Sequence, residues 1–159
     1  MDVSIVIVSW NTAALLEGCL RSIYSYPPGG EFDIWVVDNA STDGSVEHIR
    51  RLFPAVNLIE NPGNVGFARA NNQAIKQCAG RFVVLLNPDT VIHPNMFRLM
   101  VDYIESNPHV GAVGPKYLNP DGSLQVSCAP FPSITREFWR IFHLDKIYIY
   151  GVYNMQAWD

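Results

Sequence analysis

The chain opens on a run of apolar, mostly β-branched residues, Val3-Ser4-Ile5-Val6-Ile7-Val8, which stops at Ser9-Trp10-Asn11-Thr12. A run of this kind closed by a polar stretch reads as a buried strand and its exit loop. Leu15, Leu16, Cys19, Leu20 and Ile23 then recur at the 3.6-residue period, with Asn11 or Thr12 placed to cap the helix and Pro27-Pro28-Gly29-Gly30 to end it. The same strand, polar loop and helix return: strand 32–37, loop 38–44, helix 45–53; strand 56–60, turn 61–64, helix 67–78; strand 81–86, loop 87–90, helix 96–105; and a fifth strand at 110–113. Such alternation restricts the fold to α/β, a mostly parallel sheet with helices on both faces. Right-handed crossovers place every strand-to-helix loop on one edge, where open α/β sheets bind ligands. Residues 9–11, 38–43 and 87–90 therefore converge on one crevice.

Composition narrows the class. At 159 residues and 48% hydrophobic, the chain can bury a substantial core. A formal net charge of −4 argues against a nucleic-acid partner, which calls for clustered Lys and Arg. Cys19, Cys78 and Cys128 are odd in number and widely spaced, so we expect reduced, buried thiols in a cytoplasmic compartment. The four histidines show no zinc-type spacing. The apolar start lacks a basic flank, no run reaches transmembrane length, and a secretory signal is not expected.

Asp38 stands at a strand end beside the crevice, too early to cap the next helix, and can accept from a ribose hydroxyl or a base N–H. Thr42 and Asp43 fit helix capping better. The first loop carries no glycine before Gly18, which argues against G-x-G-x-x-G dinucleotide chemistry; it also lacks the Gly and Lys of a nucleotidyltransferase loop. Arg69 falls in the first turns of the helix after NPGNVG, as either a solvated cation or one facing phosphate. Asn71-Asn72 is a poor choice for a helix interior.

Asn-Pro-Asp occurs twice, at 87–89 and 119–121. The second copy precedes Gly122 between two extended runs, 116–118 and 124–128, and reads as a hairpin turn. The first ends an apolar strand expected in the middle of the sheet, because Pro88 cannot continue a ladder. Asp89 then either caps the helix near Pro94 or holds a divalent cation against a diphosphate. After Pro115 the alternation ends; residues 131–159 are rich in aromatics, with a helix expected around Phe138, Ile141, Phe142 and Leu144, and Tyr148-Ile149-Tyr150 readable as strand.

VSIVIVSWN (3–11), VVDNASTDGS (36–45), NPGNVGFARANNQAI (61–75), FVVLLNPDT (82–90) and VGAVGPK (110–116) together resemble family 2 glycosyltransferases of the GT-A fold, in the bacterial branch that includes rhamnosyltransferases. The resemblance covers residues 3–128; residues 1–128 are taken as a nucleotide-sugar-binding core, with 129–159 as an aromatic-rich segment beginning the acceptor side. It implies that Ser9, Trp10, Asn11, Asp38, Asn64, Gly66, Arg69 and Asn87 contact the nucleotide-diphosphate-sugar donor, and that Asp89 binds Mg or Mn. Asn87 replaces the first aspartate of the family's D-x-D metal motif. The implied chemistry is inverting transfer to a cell-surface glycan or lipid-linked acceptor, in the cytoplasm or, alternatively, at the inner face of the membrane. The family's base, an acidic residue in a downstream Glu-Asp context, has no counterpart before Asp159. We therefore expect the donor-binding half of a longer enzyme or a truncated relative; the alternative is a nucleotide-sugar-binding fragment without catalysis. The aromatic segment is expected to expose apolar surface, for self-association or for peripheral membrane contact.

Overall fold

The structure is a computed structural model that describes residues 1–128 and 133–144. The chain divides into two compact units, Met1–Val113 and a second beginning at Gly114.

In the first unit, strands and helices alternate as β1 (Val3–Ser9), α1 (Ala13–Ser25), β2 (Phe32–Asp38), α2 (Ser45–Leu52), β3 (Asn57–Glu60), α3 (Phe67–Ile75), β4 (Phe82–Leu86) and α4 (Met96–Ser106). The four strands form one parallel sheet in the order β3-β2-β1-β4. Ser9 pairs in register with Asp38, and Ile7 with Leu86, so these strands finish along one edge. The period-2 alternation of a strand divides β1 between two cores. Val3, Ile5 and Ile7 pack with Ile34 and Val36 against Leu16, Cys19, Leu20 and Ile23 of α1, Ile49 of α2 and Phe97 of α4. Val6, Val8 and Val37 face Ala70 and Ala74 of α3, whose small side chains let that helix lie close to the sheet. Helices thus cover both faces, as the alternation predicts.

Close approach fixes one glycine. A Cβ on Gly80 would stand 2.5 Å from the backbone nitrogen of Ser4. The Gly80 N–H donates to Ser4 Oγ at 3.0 Å, docking the chain before β4 onto the start of β1.

Three expectations need correction. Residues 110–113 form no strand; Gly111 and the following Gly114-Pro115 leave too few side chains and donors to hold one. The strand ending at Asn87 is not central: among the described residues β4 is an edge strand, paired to β1 alone. It is also half-buried, because α3 lies over β1 and β2. Val83 and Leu85, in register with Ser4 and Val6 on that face, stay 41% and 52% exposed. Finally, the cysteines are all unbridged, but Cys19 is buried, Cys78 intermediate and Cys128 exposed.

In the second unit, the Gly122 N–H donates to the Asn119 carbonyl at 2.9 Å and Gly122 takes φ 82°, the left-handed conformation that glycine adopts freely. Asp121 Oδ1 accepts from the Ser123 N–H at 2.9 Å and from its hydroxyl at 2.6 Å. The second Asn-Pro-Asp is therefore a turn, as its context predicts, although the flanking runs meet only at the bridge Leu118–Leu124. Helix α5 (Ile134–Ile141) falls where the aromatic-rich helix was expected. Ile134, Phe138 and Ile141 on it and Phe142 just after it are exposed, with the two phenyl rings 4.4 Å apart. The strand reading of 148–150 lies outside the described residues.

Candidate functional site

The first and second loops at the carboxyl edge are built into one another. The Asn39 N–H donates to the Ser9 carbonyl at 2.9 Å, which continues the β1–β2 ladder past the strand ends. The Asn11 N–H donates to Ser41 Oγ at 2.9 Å, and Asn11 Oδ1 accepts the Thr42 N–H at 2.8 Å. Asn11 reaches both partners by adopting φ 54°, a left-handed conformation that asparagine tolerates better than most residues. Neither Asn11 nor Thr12 caps α1 through its side chain. Asp43, from the other loop, does so: its Oδ2 accepts the Ala13 N–H at 2.9 Å, while Oδ1 accepts the Ser45 N–H at 3.1 Å at the start of α2. One carboxylate thereby satisfies orphan donors of two helices.

Asp38 is 4% exposed, and its Oδ2 accepts the Ser41 N–H at 2.8 Å. That bond shapes the second loop and leaves Oδ1 without a protein donor among the described residues. Ser9 is buried and hydrogen-bonds Thr12 through its hydroxyl at 2.9 Å, whereas Trp10 stands 56% exposed at the rim.

Beside Asp38 lies a group of buried amides that the sequence reading did not single out. The Asn61 N–H donates to the Asp38 carbonyl at 2.9 Å. Asn61 Nδ2 donates to Asn39 Oδ1 and to Gln73 Oε1, each at 3.0 Å, and Gln73 Nε2 donates back to Asn61 Oδ1 at 2.9 Å. The network joins the ends of β2 and β3 to α3. The one signal in the sequence was an asparagine at each of two strand ends, which turn chemistry also explains.

The third loop leads into α3. Gly66 has φ 84° and open space around it, so its glycine answers to backbone conformation rather than to packing. Its N–H donates to Asn64 Oδ1 at 2.9 Å. Arg69 is exposed on the first turns of α3 and has no ion pair among the described residues. The odd Asn71-Asn72 pair resolves into a buried Asn71, whose Nδ2 donates to the Phe67 carbonyl at 2.9 Å, and an exposed Asn72.

The fourth loop follows β4. The Asn87 carbonyl accepts from Thr90 Oγ1 at 2.7 Å, from the Thr90 N–H at 3.3 Å and from Cys19 Sγ at 3.7 Å. The cap of α4 is Asn95, at φ 65°, which removes the helix-capping reading of Asp89. The Asp89 carboxylate and the Asn87 side-chain amide are exposed, without hydrogen bonds among the described residues. Burial first, and then the negative charge of Asp89, push the Cys19 thiol up to about 11 against the opposing bond from Thr90. Cys19 is thus a neutral thiol close to the Asp89 carboxylate.

These donors suit a hard divalent cation, which takes carboxylate and amide oxygens and completes its shell with water and phosphate. No group of three or more His, Cys, Asp or Glu among the described residues could chelate a metal without help. A cation here would need oxygens from a ligand. A cavity of about 310 Å³, between Ser25 and Tyr26 at one end of α1 and Asn95 to Arg98 at the start of α4, contains none of these groups.

A model of glycosyl transferase family 2 matches residues 4–149. The chain belongs to glycosyl transferase family 2. It is 30% identical over 143 residues to N-acetylglucosaminyl-diphospho-decaprenol L-rhamnosyltransferase of Mycobacterium tuberculosis, covering 83% of this chain and 46% of that protein. This family 2 chain therefore spans about half the length of that curated relative. Among solved structures it resembles the mannosyltransferase PcManGT of Pyrobaculum calidifontis, in complex with GDP-Man and Mn2+, at 31% identity and a TM-score of 0.68, covering 76% of this chain and 36% of that one. It also resembles S. aureus TarS in complex with UDP-GlcNAc, at 25% identity and a TM-score of 0.60, covering 68% and 32%. The fold is the GT-A fold that the sequence motifs imply.

Proposed function

We propose that this chain binds the donor for an inverting glycosyltransferase that moves a sugar from a nucleotide-diphosphate-sugar to a glycan or lipid-linked acceptor. The observation that carries the reading is the pairing of two carboxylates along one sheet edge. Among the described residues, Asp38 is buried with one oxygen uncommitted, and Asp89 is exposed without a hydrogen-bond partner. In this reading Asp38 Oδ1 accepts from the base or ribose, while Ser9, Trp10 and Asn11 line the nucleoside. Asn64 and Gly66 shape the turn that brings α3 and Arg69 toward the diphosphate. Asp89, with the Asn87 side-chain oxygen, would hold Mg or Mn, which when bound neutralises charge on the departing diphosphate. The PcManGT complex with GDP-Man and Mn2+ supports the donor class.

In the transfer itself, the acceptor oxygen forms its bond to the anomeric carbon from the face opposite the diphosphate. The diphosphate oxygen leaves with the bonding pair, and the acceptor proton passes to a base. No residue of this chain is assigned that last role. The second reading is donor binding without transfer.

Calorimetric titration with UDP-GlcNAc and GDP-mannose, with and without Mn2+, tests the proposal. Asp89→Ala should abolish the Mn2+-dependent part of binding. Asp121→Ala should leave it nearly intact, because Asp121 is spent on Ser123 in a turn. Equal losses from both substitutions would refute the assignment. A radiolabelled-donor transfer assay then separates enzyme from binding module.

A further inference from the structure

The fourth loop is held in an unusual way. The other loops at this edge are tied to neighbouring strand ends. Among the described residues β4 is an edge strand with one face uncovered, and Pro88 offers no N–H. Within the loop, Thr90 Oγ1 donates to the Asn87 carbonyl at 2.7 Å; the side-chain contacts from another element come from α1. Cys19, 1% exposed, donates its thiol to the Asn87 carbonyl at 3.7 Å, and its Sγ lies 3.8 Å from Thr90 Oγ1. One helical turn on, Ser22 donates to the Cys19 carbonyl at 2.6 Å and accepts the buried Ile92 N–H at 2.9 Å. The segment from Asn87 to Ile92 is thus laid along one face of α1 by two side chains. The same helix is capped by Asp43 from the second loop. Through α1, the loop that carries Asp89 is registered against the loops that surround Asp38.

We infer that the Cys19–Ser22 face of α1 is the seat of the Asn87–Asp89 loop, and that Cys19 is a positioning residue for the cation and diphosphate. The inference rests on the donor-site reading above. Cys19 touches neither ligand; it sets where the Asp89 carboxylate stands relative to Asp38. A serine at this position keeps a donor, whereas valine fills the space of the thiol and offers none.

The test is Mn2+ titration, followed by electron paramagnetic resonance, in the presence of UDP or GDP, beside metal-free nucleotide affinity and thermal stability. Losing one weak hydrogen bond of about 0.5–1.5 kcal/mol corresponds to about a two- to tenfold change. Cys19→Val should weaken Mn2+ binding by that factor and leave metal-free nucleotide affinity within about twofold, while Cys19→Ser retains most of the Mn2+ affinity. A lower melting temperature with unchanged Mn2+ binding would make Cys19 merely structural and overturn the inference. If Cys19→Val fails to fold, Ser22→Ala is read by the same criteria. Asp89→Ala separates the two levels. If it leaves Mn2+ binding intact, the donor-site reading fails; if it abolishes binding that Cys19→Val does not alter, only the seat fails.

Discussion

The amide network beside Asp38 makes a quantitative prediction. In Asn61→Leu the heavy-atom branching is kept and no cavity forms, so lost hydrogen bonding is the main change, with the added bulk of two methyl groups beside it. Three side-chain bonds are lost, two to Gln73 and one to Asn39. Gln73 is half-buried and can turn to water, but Asn39 is 3% exposed, and its Oδ1 loses the donor it has. Each bond contributes about 0.5–1.5 kcal/mol net, and a stranded buried acceptor costs about 1–3 kcal/mol. The bond to Asn39 accounts for the larger share, giving a loss of about 2–4 kcal/mol. In urea this should lower the midpoint by about 1–2 M at unchanged slope, and heat should unfold the variant about 10 °C earlier. Adding Gln73→Leu should cost much less than it does alone, because its recorded partner is already gone. A loss below about 1 kcal/mol, or additive effects of the two substitutions, would show that the network is not a mutual one.

Asp43 should give the protein part of its acid sensitivity. Burial, the largest single influence, pushes its carboxyl up, but hydrogen bonds from Ser45 and the Ala13 backbone together hold it below the usual value. A carboxyl depressed by folding stabilises above its unfolded pKa of about 3.9 and loses that contribution as pH falls through the folded value. The urea midpoint of Asp43→Asn should therefore fall less than that of the parent protein between pH 5 and strongly acid conditions; parallel curves would contradict this. The exposed Ile134, Phe138, Ile141 and Phe142 of the second unit should drive association. Sedimentation at high micromolar concentration should show oligomers that Phe138→Lys reduces; a monodisperse parent would count against it.

The α/β alternation and the convergence of loops were legible because each depends on local signals, hydrophobic period and turn residues. That Asp38 and Asp89 lie at this edge was legible because the sequence puts Asp38 at a strand end and Asp89 in the loop that follows a strand. What escaped the sequence was set by distant partners. Nothing at Asp43 announces that it caps α1 as well as α2, since Ala13 is thirty residues away. Cys19 reads as an ordinary core position at helical spacing, and its thiol's direction depends on where α1 crosses the fourth loop. The place of β4 was misjudged for a similar reason. An uncharged strand looks buried on both sides, yet coverage depends on where α3 lands.

The interlocked loops around Asn11 also bear on how such a protein can be re-engineered or can diverge. Each loop takes its shape from groups that the other supplies: Ser41 and Thr42 hold Asn11, and Asp43 begins α1. A graft that imports the first loop from a relative would arrive without its scaffold, and one that imports the second would strip the helix cap from α1. Residues 9–13 and 38–45 thus make a single module, to be exchanged whole or not at all.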